Sequence, residues 1–115
     1  MVNWITKKLG VMSASSKLKK DEFGTIIVDL RDIVDGSNSI EDVIMAYNKV
    51  LSAAGISSNL KCKVVLQCEA GISRSCAFVV ALLYRASDME WEDAIDFVKK
   101  KVPQCQMNLD LLDSI

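Results

Sequence analysis

Apolar positions change rhythm several times along the chain, and each change predicts an element. Trp4 to Val11 reads as a first strand. Thr25-Ile26-Ile27-Val28-Asp29-Leu30 is a second, rich in β-branched residues. A polar loop follows from Arg31 to Ser39, containing Asp32, Asp35, Gly36 and Asn38. Ser39 then reads as a helix N-cap, with Asp42 at the third helical position. Ile40, Val43, Ile44, Tyr47, Val50, Leu51 and Ala54 recur at helical spacing as one stripe, and Gly55 is expected to end that helix.

Cys62-Lys63-Val64-Val65-Leu66-Gln67 is a short apolar run that fits a central parallel strand. After a turn containing Gly71, the run Cys76 to Tyr84 is apolar on every side and predicts a buried helix. Asp88 reads as the cap of another helix, with Trp91, Ala94, Ile95, Val98 and Val102 on one side and Pro103 as its stop. Met107 to Ile115 predicts a last helical turn or two. Strands alternating with helices give an α/β class: a mostly parallel central sheet of four to five strands with helices on both faces. The linker-like stretch from Met12 to Glu22 predicts a short surface helix or loop. Its lysines are better read as a solvated face than as a phosphate-facing patch.

Composition narrows the functional classes. The chain has 115 residues, half of them apolar, which suits one domain over 1–115 with a single core. Fourteen basic and fifteen acidic residues leave a net charge of −1, with no global footprint for nucleic acid or an anionic membrane. No apolar run is long enough to span a bilayer, and the charges of the N-terminus follow its apolar residues, the wrong order for a secretion signal. A cytoplasmic monomer is the resulting expectation. The chain contains no histidine, which removes Cys/His zinc sites, Ser-His-Asp triads and Cys-His pairs. Cys62, Cys68, Cys76 and Cys105 form no CxxC pair, so neither a metal nor a disulfide framework is expected. Cys62 and Cys76 read as small core residues. Cys105 reads as exposed and able to pair with Cys68 on oxidation.

The chemistry concentrates in Gln67-Cys68-Glu69-Ala70-Gly71-Ile72-Ser73-Arg74-Ser75, between a buried strand and a buried helix. Ligands of open α/β sheets bind at the carboxyl ends of strands. A helix N-terminus there offers unpaired N–H groups and a positive dipole end. Gly71 permits a tight loop whose amides from Glu69 to Ser73 point inward at an anion. The same field stabilises a thiolate at Cys68. Arg74 can grip two phosphate oxygens with its planar fork. Ser75 can hydrogen-bond the sulfur when it leaves.

These residues resemble the signature of the dual-specificity phosphatases, within the cysteine-based protein tyrosine phosphatases. The resemblance covers most of the chain, because the helix from Ser39 to Ala54, the strand before Cys68, the buried helix after it and the segment from Pro103 to Asn108 follow the family's order. It implies a tyrosine-phosphatase-like fold and a metal-free, cofactor-free mechanism. Cys68 attacks a phosphomonoester to form phosphocysteine, and an aspartic acid protonates the leaving oxygen and later activates water. Asp35, followed by Gly36 and 33 positions before Cys68, matches that acid best. Asp32 is second, and Asp29 within the strand is last. The implied partners are phosphorylated proteins or peptides, with phosphate, sulfate or vanadate held by Glu69, Ala70, Gly71, Ile72, Ser73 and Arg74. Asn108 matches an Asn that braces the phosphate loop in relatives, and fits a helix cap equally well.

Three features depart from the family pattern. Gln67 stands where His usually precedes the nucleophile, the segment from Leu30 to Asp35 lacks a usual strand, and the chain is a minimal version. These departures keep a phosphate-binding pseudophosphatase as a second reading. A phosphatase for RNA 5′ ends or small phosphoesters is a third.

Overall fold

The computed structural model describes residues 2–13, 25–31, 33, 39–60, 62–68, 73–105, 107 and 111–112, with the side chains of 56–60 and 73 outside the description. Among the described residues the main elements follow in the order β1 (Asn3–Trp4), β2 (Leu9–Ser13), β3 (Ile26–Asp29), α1 (Ile40–Leu60), β4 (Val64–Cys68), α2 (Ser73–Ala86) and α3 (Trp91–Lys101). The sheet order is β1-β2-β4-β3. Both partners of β4 run parallel to it, with Ser13 opposite Cys68 on one side and Asp29 opposite Gln67 on the other. The α/β class therefore holds. The sheet is mixed, because β1 pairs antiparallel with β2.

That antiparallel pair corrects the expected single strand from Trp4 to Val11. The polar triplet Thr6-Lys7-Lys8 breaks it into a hairpin. Ile5 and Thr6 donate their backbone N–H groups to the Leu9 carbonyl at 2.9 and 3.0 Å. Thr6 Oγ1 accepts from the N–H groups of Lys8 and Leu9. Gly10 makes the pairing possible: a Cβ there would lie 2.6 Å from Val2 Cγ1 and 2.8 Å from Trp4 Cε3.

Alternation along the strands splits the apolar residues between two faces. Val11, Val28, Val64, Leu66 and Cys68 join one large core with Ala46, Tyr47, Val50 and Ala53 of α1, the whole buried run of α2, and Ala94 and Val98 of α3. Val2, Met12 and Val65 form a second, smaller cluster with Trp4 against it. Among the described residues Phe78 is the largest fully buried side chain. The edge-to-face contact between Tyr84 and Trp91, with ring centroids 5.3 Å apart, joins α2 to α3.

Helix α1 differs from its prediction in two ways. Its Ser39 cap is present, with Asp42 N–H donating to Ser39 Oγ at 3.2 Å. Gly55 does not end it: the helix continues to Leu60, and the Gly55 backbone avoids the left-handed region a glycine stop would use. One glycine inside a helix costs only about 1 kcal/mol, which neighbouring turns can offset. The buried stripe is also narrower than expected. Val43, Ala46, Tyr47, Val50 and Ala53 are buried, whereas Ile40, Ile44 and Leu51 are exposed.

Three further boundaries are corrected. Helix α2 begins at Ser73, so Arg74 and Ser75 belong to its first turn rather than to a preceding loop. Helix α3 has Glu90 at its N-cap, not Asp88, with no side-chain cap; Glu92 and Asp93 in its first turn and Lys99, Lys100 and Lys101 in its last complement its dipole instead. The central strand is shifted to Val64–Cys68, which makes Cys68 its last residue. The linker reading over the lysines at 17, 19 and 20 lies outside the described residues. So do the ends of the last helical segment, of which Leu111 and Leu112 are helical and buried.

Candidate functional site

Because β2, β3 and β4 are parallel, their carboxyl ends lie along one edge of the sheet. Cys68 ends the central strand there, with no exposed surface. Residues 69–72 connect it to Ser73, which opens the 14-residue helix α2. The first backbone N–H groups of such a helix have no partner within the helix, and its dipole presents positive potential at that end. A sulfur atom and a helix N-terminus are thus held on either side of one short connection.

Arg74 and Ser75 occupy that first turn. Arg74 Nη1 donates to the backbone carbonyl of Ile33 at 2.6 Å, a contact between residues 41 positions apart. Ile33 is itself buried, and its N–H donates to the Leu30 carbonyl at 3.1 Å. The arginine is therefore anchored to the segment that follows β3. Among the described residues, Arg74 Nε and Ser75 Oγ are buried and have no hydrogen-bond partner. A buried donor left unpaired costs about 1–3 kcal/mol. Two such donors thus meet in the first turn of one helix, one short connection beyond the strand end that carries Cys68.

Asp29 stands at the same edge but is engaged elsewhere. Arg31 donates Nε to both carboxylate oxygens at 3.0 Å, Nη2 to Oδ2 at 2.6 Å, and its backbone N–H to Oδ1 at 2.9 Å. The Arg31 side-chain bonds, aided by its charge and that of Lys49, hold the Asp29 carboxyl below its ordinary range against the opposing effect of burial. A carboxylate kept ionised in this way is a poor proton donor.

Behind Cys68 lie two more buried thiols, Cys76 and Cys105. A sulfur hydrogen bond with Cys105, then burial, then the charges of Cys105 and Cys68, push the Cys76 thiol far above its ordinary range. Cys105 is thus a buried neighbour of Cys76, not the exposed residue the sequence suggested. Cys105 N–H donates to the Val102 carbonyl at 3.0 Å, where the chain turns after α3. Cys76 is a core residue as expected, whereas Cys62 is only half-buried.

Of the predicted site residues, Cys68, Arg74 and Ser75 are therefore gathered at one strand-to-helix junction, and Ser73 supplies the first residue of the helix. Asp35, Asp32, Glu69, Ala70, Gly71, Ile72 and Asn108 lie outside the described residues. Gln67 is half-buried, and its carbonyl accepts from Leu30 N–H at 2.7 Å. The Ile33 carbonyl is the partner that sequence reasoning missed, since every residue carries a carbonyl and nothing in the residue type marks this one. Among the described residues, no group of three His, Cys, Asp or Glu side chains could hold a metal ion. No helix among them is long and apolar enough to cross a membrane.

Solved structures with this architecture define the class. Human tyrosine phosphatase-like serine/threonine/tyrosine-interacting protein superposes with a TM-score of 0.73 at 22% identity, over 98% of this chain and 91% of that one. Tk-PTP in its active form gives 0.68 at 15% identity, over 98% and 92%. The fold is therefore that of the tyrosine phosphatases. More closely, the chain belongs to the dual specificity phosphatase catalytic-domain family, whose model matches residues 2–115. Mouse dual specificity protein phosphatase 8 is 28% identical over 105 residues, which are 91% of this chain and 16% of that protein. The chain spans less than half the length of the curated relatives it matches.

Proposed function

We propose that this protein is a cysteine-dependent phosphomonoester hydrolase that acts on phosphotyrosine and phosphoserine or phosphothreonine in proteins. The observation that carries the reading is the pair of buried, unpartnered donors, Arg74 Nε and Ser75 Oγ, one short connection beyond a cysteine that ends the central strand. Membership of the dual specificity phosphatase family supports the same chemistry.

In this reading the Cys68 thiolate attacks phosphorus in line with the ester oxygen. An S–P bond forms and the P–O ester bond breaks. Asp35, with Asp32 as the alternative, gives its proton to the departing oxygen. The amides of residues 69–73 and the Arg74 fork hold the three equatorial oxygens, where charge is spread in the transition state. Water then attacks phosphorus, the aspartate takes its proton, and Cys68 leaves as thiolate with Ser75 Oγ donating to the sulfur. No step calls for a metal or cofactor. Phosphate, sulfate and vanadate fit the same loop.

Acid-quenched enzyme mixed with an aryl phosphate is expected to carry the mass of one phosphoryl group on the peptide containing Cys68. The adduct is expected to be absent from Cys68→Ser. A phosphoryl group on any other residue contradicts the mechanism. The full burial of Cys68 and the presence of Gln67 before it favour one second reading, a phosphate-binding module without turnover. Vanadate binding in a folded protein that forms no phosphocysteine would establish it.

A further inference from the structure

At the amino end of the parallel strands, far from Cys68, the sheet carries a second feature. Lys8 precedes β2 and Lys63 precedes β4, and the two strands start side by side, with Leu9 opposite Val64 and Val64 N–H donating to the Lys8 carbonyl at 2.8 Å. Lys7 stands next to Lys8 in the hairpin bend. Together with Trp4 and Thr6, these three lysines line a groove of about 520 Å³. Lys7, Lys8 and Lys63 are exposed, and among the described residues no carboxylate lines the groove.

The groove is built on fixed parts. Thr6 Oγ1 pins the bend that carries Lys7 and Lys8. The Trp4 indole packs against Gly10. Lys63 Nζ sits 5.1 Å from the Trp4 ring centroid, within cation–π range. Three lysines therefore line one groove, and among the described residues none of its lining side chains is acidic. An anionic partner relieves the repulsion between their charges.

We propose that this groove is a docking site for an acidic peptide segment of a protein partner. The chemistry favours a peptide over other polyanions. The face of Trp4 is already covered by Lys63, so it offers no free platform for a stacked base. Among the described residues no arginine lines the groove to fork onto phosphate, and the chain as a whole has a net charge of −1. Among the described residues the half-buried Trp4 is the one apolar side chain lining the groove, too little apolar surface to hold a bilayer by insertion. Carboxylates spaced along an extended strand suit separate lysine point charges. Lys63 immediately precedes β4, five residues before Cys68 and about 17 Å from it at strand rise, so the groove and the phosphate site are separate.

The test is fluorescence anisotropy of a labelled oligoglutamate peptide with the full chain, at low salt and with inorganic phosphate present to fill the phosphate site. Saturable binding is expected, weakened about tenfold or more in the variant K7E/K8E/K63E and weakened by added salt. The variant K7Q/K8Q/K63Q is expected to fall between the two, with thermal melts confirming that both variants are folded. Peptide binding that phosphate displaces, or that charge reversal leaves unchanged, overturns the proposal. So does the absence of saturable binding, or tighter binding of phosphatidylserine vesicles or single-stranded DNA at equal charge.

Discussion

At the scale of single residues, the pairing of Asp29 with Arg31 separates one aspartate of the carboxyl edge from acid catalysis. The pair holds Asp29 ionised, and both side chains are nearly half exposed, at 44% and 49%. Because its folded pKa is depressed, Asp29 stabilises the fold above its unfolded value, and that contribution is lost as pH falls through the folded one. Solvent and salt screen the pair. Asp29→Asn is therefore expected to lower the unfolding free energy by less than about 1 kcal/mol at neutral pH, with the difference closing under acid or in high salt. Urea titrations across pH measure this. The same variant is expected to keep the shape of the pH–rate profile. Asp35→Ala is expected to lower kcat about a hundredfold or more and to remove the alkaline limb, because a general acid must be protonated at the first step. If Asp32→Ala shows that loss and Asp35→Ala does not, the acid is Asp32. The meeting of Cys68 with Arg74 and Ser75 at one strand-to-helix junction was legible in sequence because all three lie within eight residues of one another. The Ile33 carbonyl bound by Arg74, and the contact of Cys76 with Cys105, were not, since both are long-range contacts that no local spacing records.

At the scale of elements, two glycines with the same freedom in sequence have opposite roles. Gly55 sits inside α1, and a Cβ there meets nothing within 4 Å. Gly55→Ala is expected to raise stability by about 0.5–1 kcal/mol through helix propensity. Gly10 is pressed between Val2 and Trp4, so Gly10→Ala forces the hairpin apart and is expected to cost about 1–3 kcal/mol. Thermal or urea unfolding of the two variants checks both signs. The strands and helices themselves were predictable from period, and the order of elements held. Boundaries moved where a weak local signal met a stronger tertiary one. Helix α1 ran past Gly55, and the first strand folded into a hairpin because Thr6 could satisfy two backbone donors. The exposed Ile40, Ile44 and Leu51 mislead any reading by stripe alone, because hydrophobicity states what a helix can bury and not how wide its contact is.

At the scale of the whole molecule, one core carries both stability and site. Helix α2 is buried from Ser75 to Leu82, so the turn that holds Arg74 and Ser75 is fixed by the same packing that surrounds Phe78. Phe78→Ala is expected to cost about 3–5 kcal/mol and to loosen the junction with Cys68. The fold class was legible because alternating strands and helices admit few packings, and the mixed sheet followed from one short hairpin at its edge. The most direct test of the central claim is hydrolysis of an aryl phosphate in the presence of EDTA by the wild type and by Cys68→Ser. Turnover is expected in the wild type and none in the folded variant. Equal rates in the two, or a wild-type rate that requires added metal, would contradict the claim.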